Sequence, residues 1–351
     1  MNGAAAWLKR RIPLNPEILN TIASEPVPNH LRLWWYCIGG TPAYLFVVQV
    51  VTGILLTFYY IPNPDHAYQS VQMITEQVPY GWYLRSIHHW SSNLMIITVI
   101  LHAMRVYFTG AYRKPRELNW MVGSLILFTV LFFGFTGYSL VYEQLSYWGA
   151  TVAGNLTASV PLIGEFLAGF LQGGETLSDN TLTRYFIIHI GILPTVIVLL
   201  LIVHIGLIRL HGVTEFHTTK ESGEEHTGKT FPFFPNHFLT ELMIGVILMV
   251  VLTCLALIFP AGLGEPANPL VTPAHIKPEW YFYFTFRWLK LTSLTFAVLS
   301  LGFAGFLFVM WPFLDSMIRR KKPNSEASVY IGIVVVVGIL ILTIWEAIAT
   351  H

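Results

Sequence analysis

RSIHHWSSNLMIITVILHAMR, residues 85–105, is an apolar run closed at each end by arginine and carrying His88 and His102 fourteen residues apart. A second run, RYFIIHIGILPTVIVLLLIVHIGLIR, residues 184–209, repeats the design with His189 and His204 fifteen apart. At about 1.5 Å of rise per residue, each pair spans roughly 21–22 Å of helix. Fourteen residues is nearly four whole turns, so His88 and His102 share a face. Fifteen residues drifts by about 60°, so a regular helix leaves His189 and His204 offset. His89 points roughly 100° away from His88 and stands outside the pattern.

Imidazole is costly in hydrocarbon without a partner, so an intramembrane histidine marks a functional site by default. Two helices each offering a histidine near either end can clamp two flat iron cofactors, because neutral imidazole is an axial ligand of haem iron. One such histidine alone reads equally well as a hydrogen bond to a neighbouring helix. Four at matched spacings on two spans favour two bis-histidine haems. Gly39 and Gly53, and Gly123 and Gly137, also recur at 14 residues on two other apolar runs. A backbone without a side chain can approach a macrocycle closely, although small residues also serve ordinary helix packing. Arg85 and Arg105 stand three residues beyond His88 and His102, where propionates would emerge; snorkelling at helix ends is the plainer reading of either alone.

The composition is that of a membrane protein. Of 351 residues, 54% are hydrophobic and 11% charged, with mean hydropathy +0.59. A net charge of +1 points no basic face at nucleic acid. The two cysteines, Cys37 and Cys254, form no CxxC or CxxCH, which excludes a zinc ribbon and the usual c-type haem motif. Lys9, Arg10 and Arg11 have no apolar region behind them, so no cleavable signal peptide is expected. Glu215, His217, Glu221, Glu224, Glu225 and His226 lack tight metal-ligand spacing and read as a solvated connector.

Seven windows are long enough to span a bilayer: 33–64, 86–104, 118–142, 185–208, 242–264, 291–314 and 327–345. The first overshoots, and its helix is expected to end near Tyr60, before Pro62 and Pro64. Residues 144–164 are uncharged but rich in Gly, Ser, Thr and Asn, and predict one or two short surface helices. Without a span there, the two histidine helices run in the same direction, and His88 lies level with His189 and His102 with His204. Seven spans put fifteen of the twenty Lys and Arg on the N-terminal side: Lys9, Arg10, Arg11, Arg32, Arg105, Arg113, Lys114, Arg116, Arg209, Lys220, Lys229, Arg319, Arg320, Lys321 and Lys322. Arg85, Arg184, Lys277, Arg287 and Lys290 fall on the other side. That bias makes the N-terminus cytoplasmic.

NHLRLWWYCIGG, VTGILLTFYY, GWYLRSIHHW, LHAMRVYFTGAYRKPRELNW, FGFTGYSL and LTRYFIIHIGILP resemble cytochrome b of the bc1/b6f complexes, and residues 29–172 and 182–212 look most like cytochrome b6. The fifteen-residue histidine spacing is also the b6 pattern. The part after about Asn236 resembles the three-helix subunit IV, with Pro278-Glu279-Trp280-Tyr281 as its marker. The resemblance implies an all-α integral membrane protein of seven helices, a four-helix dihaem bundle followed by a three-helix lobe. Its parts would be 1–212, a cytoplasmic connector 213–236, and 237–351; the extra C-terminal helix of the mitochondrial type has no counterpart.

The resemblance also carries roles. His88 and His189 would hold the outer, low-potential b haem, and His102 and His204 the inner, high-potential one. Pro278, Glu279, Trp280 and Tyr281 would form the quinol-oxidation motif, with Glu279 accepting a proton if its pKa lies near working pH. Cys37 resembles the b6 cysteine that holds an extra c-type haem by one thioether, with Arg209 near its propionates; the plainer reading of Cys37, and that adopted for Cys254, is a small buried hydrophobe. Implied partners are a Rieske iron–sulfur protein, a c-type cytochrome or soluble carrier, quinone, lipid and a second copy of the complex. The implied activity is that of a quinol–cytochrome c/plastocyanin-type oxidoreductase in the inner or other energy-transducing membrane: quinol is oxidised outside, electrons cross to an inner quinone site, and protons move outward. One departure is visible: Val141-Tyr142 replaces the usual Pro-Trp after GYSL, which opens the question of quinone type. Two other classes compete. A membrane-anchor dihaem cytochrome b of a dehydrogenase or hydrogenase would lack the Pro-Glu-Trp-Tyr motif, and a cofactor-free transporter would be colourless.

Overall fold

The computed structural model describes residues 20, 24, 26–28, 38–174, 177–212, 230–273 and 276–349. In hydrocarbon each backbone N–H and C=O must be bonded within its own segment, so the long apolar runs fold as helices. They are α1 (Gly40–Thr57), α3 (Gly81–Phe108), α4 (Glu117–Ser139), α7 (Asp179–Ile187) continuing through a π turn (Ile188–Ile192) into α8 (Leu193–His211), α9 (Phe238–Ile258), α11 (Leu294–Val309) and α13 (Ala327–Ile348). Among the described residues six helices are long and apolar enough to cross a membrane. A seventh is counted if α11 and α12 (Trp311–Lys321), bent by 66°, form one span.

Several boundaries differ from expectation for local reasons. The first helix ends at Thr57, three residues before Tyr60. The sixth window was expected to run unbroken to 314 but breaks at Met310, because Pro312 has no N–H for the Phe308 carbonyl. The Trp120 indole on α4 donates to that carbonyl instead, at 2.8 Å. Residues 144–164 do form short helices. α5 (Gln144–Ala158) packs against α6 (Gly164–Gln172), as α2 (Ala67–Glu76) does against α3.

Helices α1 and α3 pack as one pair and α4 and α8 as another. Between them lies an apolar core that includes Leu45, Ile87, Met95, Ile96, Val99, Ile126, Val130 and Ile197. α9 lies on α3 and α1, and α11 on α4. α13 lies on α3 and on α10 (Tyr283–Leu291). Outward-facing Val198, Ile202, Val246, Val250, Val334 and Ile341 remain exposed, as lipid-facing side chains do. A short antiparallel pair, β1 (Pro26–Pro28) with β2 (Thr230–Pro232), sets Val27 opposite Phe231.

Candidate functional site

The two histidine helices turn toward each other across the bundle. His88 faces His189 with ring centres 6.5 Å apart, and His102 faces His204 at 6.4 Å. Two imidazoles joined to one metal by bonds of about 2.0 Å stand roughly 6.3 Å apart, centre to centre. Both pairs therefore fit a single iron between them. The offset expected of a fifteen-residue spacing is removed by the π turn at Ile188–Ile192. Its Leu193 N–H reaches back five residues to the Ile188 carbonyl, so one residue is absorbed between His189 and His204. Pro194, which cannot donate to the Ile190 carbonyl, favours this wider turn.

Each histidine has its own glycine. A Cβ on Gly137 would stand 2.9 Å from Cε1 of His189, and one on Gly123 3.2 Å from Cε1 of His204. On the other pair, Gly53 would meet His88 at 3.3 Å and Gly39 would meet His102 at 3.1 Å. The glycines thus admit the imidazole edges themselves, a closer role than the approach to a macrocycle read from the sequence. The inner hollow, about 310 Å³, is lined by Gly39, His102, Arg105, Gly123 and His204. The outer one, about 240 Å³, is lined by Gly53, Arg85, His88, Gly137 and His189. Met95 and Val130 wall both and so separate them. Arg85 is held differently from the sequence reading, since its guanidinium donates to the carbonyls of Ala261 and Gly262 just after α9. Arg209 lies over the Phe233 ring at 5.4 Å. Cys37 and the acidic, histidine-bearing segment 215–226 lie outside the described residues. Cys254 is free and exposed on α9, not the buried hydrophobe expected from the sequence, because it falls on a face of that helix that packs on no other described element.

Pro278-Glu279-Trp280-Tyr281 runs into a 3-10 turn (Trp280–Phe282) above the outer pair. Trp280 Nε1 donates to Asn93 Oδ1 at 2.7 Å, and Asn93 donates to the His89 carbonyl at 3.0 Å, so the motif is anchored to α3. The Tyr281 hydroxyl occupies the space a side chain on Gly134 would need. Glu279 and Tyr281 line the outer hollow. Pro278 and Phe282 line an adjoining cavity of about 740 Å³, walled by Phe128, Phe132, Trp148 and Phe286. Tyr138 borders both spaces. A small set of polar groups beside a large apolar cavity is the usual form of a site for an amphipathic small molecule. Burial raises the Glu279 carboxyl above the ordinary carboxylate range, and nearby Glu143 raises it further.

Glu143, which follows the Val141-Tyr142 departure in the sequence, lines the outer hollow. Its carboxylate accepts from the Gly264 N–H at 2.6 Å, and its backbone bridges to Pro266. Tyr142, where the pattern departs, takes a left-handed backbone with φ 56°, which turns the chain so that Glu143 reaches that loop. The sequence reading passed over Glu241. It pairs with His237 at 3.6 Å, presses on Gly40, and lines the inner hollow with His237, Arg116 and Asn119. A paired His and Glu at i, i+4 before an apolar window was the available signal.

The family described as cytochrome b/b6/petB matches residues 22–212, and cytochrome b(C-terminal)/b6/petD matches residues 266–350. The chain is 36% identical to a cytochrome bc complex cytochrome b subunit of Chlorobaculum thiosulfatiphilum, over 97% of this chain and 80% of that one. It is 44% identical to cytochrome b6 of Heliobacterium mobile, over 60% of this chain and 98% of that one. A solved structure titled hyperthermophilic respiratory complex III superposes with a TM-score of 0.79 at 26% identity, covering 97% of each chain.

Proposed function

Because the chain belongs to the cytochrome b/b6 family, as the cytochrome b subunit of a bc/b6f-type complex, we propose that it oxidises quinol at the outer face and reduces quinone at the inner face. The observation that carries the reading is the placement of the Glu279–Tyr281 turn between the outer imidazole pair and the 740 Å³ cavity. Family membership implies b-type haem. Bound by His88 with His189 and by His102 with His204, two such haems supply one-electron carriage across the membrane.

The chain's own residues handle position and protons. The aromatic cavity walls hold the quinol ring against Pro278 and Phe282 and keep water out. The Glu279 carboxylate, raised toward working pH by burial and by Glu143, accepts the hydroxyl proton as quinol is oxidised. Trp280 fixes the turn through Asn93. At the inner end, His237 and Glu241 stand beside His102 and His204 and can pass protons to a quinone being reduced. One electron per quinol leaves to a Rieske iron–sulfur protein and a c-type carrier, and the other goes inward, so protons move outward. The basic bias supports a cytoplasmic N-terminus, and family membership supports an energy-transducing inner membrane and a dimeric complex. Cys37 would hold a third haem by a thioether, with Arg209 near its propionates.

Two experiments test this. Acid-acetone extraction followed by pyridine haemochrome spectra should give two extractable b haems per chain and one retained haem, which Cys37→Ala abolishes alone. Two extractable haems with none retained would remove the thioether and leave the rest. In Glu279→Gln, quinol oxidation should fall at least tenfold while both b-haem spectra persist. Unchanged turnover would remove Glu279 from its role.

A further inference from the structure

The two imidazole pairs are near copies of each other along the bundle, yet their outer edges are bonded differently. Thr52 precedes Gly53, and its hydroxyl lies 2.8 Å from Nδ1 of His88. Thr136 precedes Gly137, and its hydroxyl lies 3.0 Å from Nδ1 of His189. Each hydroxyl proton is already committed to its own helix, Thr52 to the Val48 carbonyl at 2.7 Å and Thr136 to the Phe132 carbonyl at 3.1 Å. The oxygen is left to accept, so Nδ1 carries the hydrogen and Nε2 keeps the lone pair for a metal.

At the inner level the same positions are Ile38 and Val122, each 14 residues earlier (52 − 38 and 136 − 122). Neither can accept a hydrogen bond. Nδ1 of His102 and of His204 is buried without a hydrogen-bond partner among the described residues. The Asn119 carbonyl lies near His204, outside good hydrogen-bond geometry, as the Phe133 carbonyl lies near His189. Those carbonyls are also 14 apart, so the backbone offers the same group at both levels and the hydroxyl is the difference.

We propose that Thr52 and Thr136 are positioning residues that hold the outer haem at a lower reduction potential than the inner one. An acceptor on Nδ1–H sends electron density into the imidazole and strengthens Nε2 as a donor to ferric iron, which disfavours reduction. Without it the inner ligands are weaker donors, and electrons run downhill from the outer site to the inner. The inference rests on the dihaem reading above and names the side chains that give it direction.

The test is a redox titration of the purified intact complex, followed at the two b-haem absorbance bands and by low-temperature EPR of the ferric haems. In Thr52→Val/Thr136→Val, isosteric with the inner arrangement, the outer midpoint should rise and the inner stay in place. Thr136→Ser, which keeps the hydroxyl, should restore the outer midpoint when paired with native Thr52. Val122→Thr should lower the inner midpoint alone. An unmoved outer midpoint with both haems bound overturns the proposal. If the double variant sheds its outer haem, Val122→Thr decides, and an unmoved inner midpoint there also overturns it. A wild-type preparation lacking b haem would instead overturn the functional reading.

Discussion

At the scale of single residues, the hollow beside His88 and His189 holds two carboxylates, Glu143 and Glu279. Glu143 borders the hollow that Glu279 enters, and its charge adds to burial in raising the Glu279 carboxyl. Its own position is fixed by the Gly264 N–H. The consequence for pH has a definite sign. A general base with a raised pKa loses activity as pH falls through that value. Removing the Glu143 charge lowers the Glu279 pKa, so more of the proposed proton acceptor stays ionised at acid pH. In Glu143→Gln the acid limb of the quinol-oxidation profile should therefore move to lower pH, with b-haem spectra unchanged. A limb that stays in place, or moves to higher pH, would mean that Glu143 acts only as a tether for the loop at Gly264. Quinol oxidation measured from about pH 5 to 9 separates these results.

At the scale of elements, the histidine helices and the glycine recurrence were legible because helical period is a local property of the chain. What stayed hidden were departures from that period, although each had a proline in view. Pro194 sits five residues after His189 and accompanies the π turn that rephases α8. Pro312 breaks the sixth span, and only the folded structure supplies Trp120 to the carbonyl it vacates. Glu241, the threonines and the contact of Glu143 with the Gly264 loop were illegible for another reason, since their meaning depends on neighbours distant in sequence. The π turn gives a prediction of its own. If it exists to absorb one residue, deleting Gly191 together with Pro194→Ala should leave a regular helix with fourteen-residue spacing. Both b haems should then be retained at wild-type stoichiometry by haemochrome assay. Loss of the inner haem from that variant would show that the turn is not what aligns the pairs.

At the scale of the whole molecule, Arg85, Arg184, Lys277, Arg287 and Lys290, the five cations that the charge bias leaves on one side, are committed to structure. Arg85 donates to the Ala261 and Gly262 carbonyls and Arg184 to the Phe170 carbonyl. The other three converge on the C-terminal end of α13. Lys277 donates to the carbonyls of Glu346, Ala347 and Ala349, where a helix end presents unpaired acceptors and negative dipole. Arg287 and Lys290, on α10, pair with the buried Glu346 carboxylate at 3.1 and 2.7 Å, and Arg287 also lies over the Trp345 ring. Since α10 continues directly from the Trp280–Phe282 turn, this cluster fastens the last span to the loop carrying Glu279. In Glu346→Gln the buried Arg287 loses its counter-ion, a change that costs about 3–5 kcal/mol in comparable buried pairs. Quinol oxidation and thermal stability should fall together. The b-haem spectra should persist, because the four histidines sit on α3, the π turn and α8, away from the cluster. Adding Arg287→Gln removes the uncompensated charge and should recover part of the lost stability, as read by the thermal midpoint. An unchanged midpoint in the single variant would mean that apolar packing of α13 on α10, and not this ion cluster, holds the loop in place.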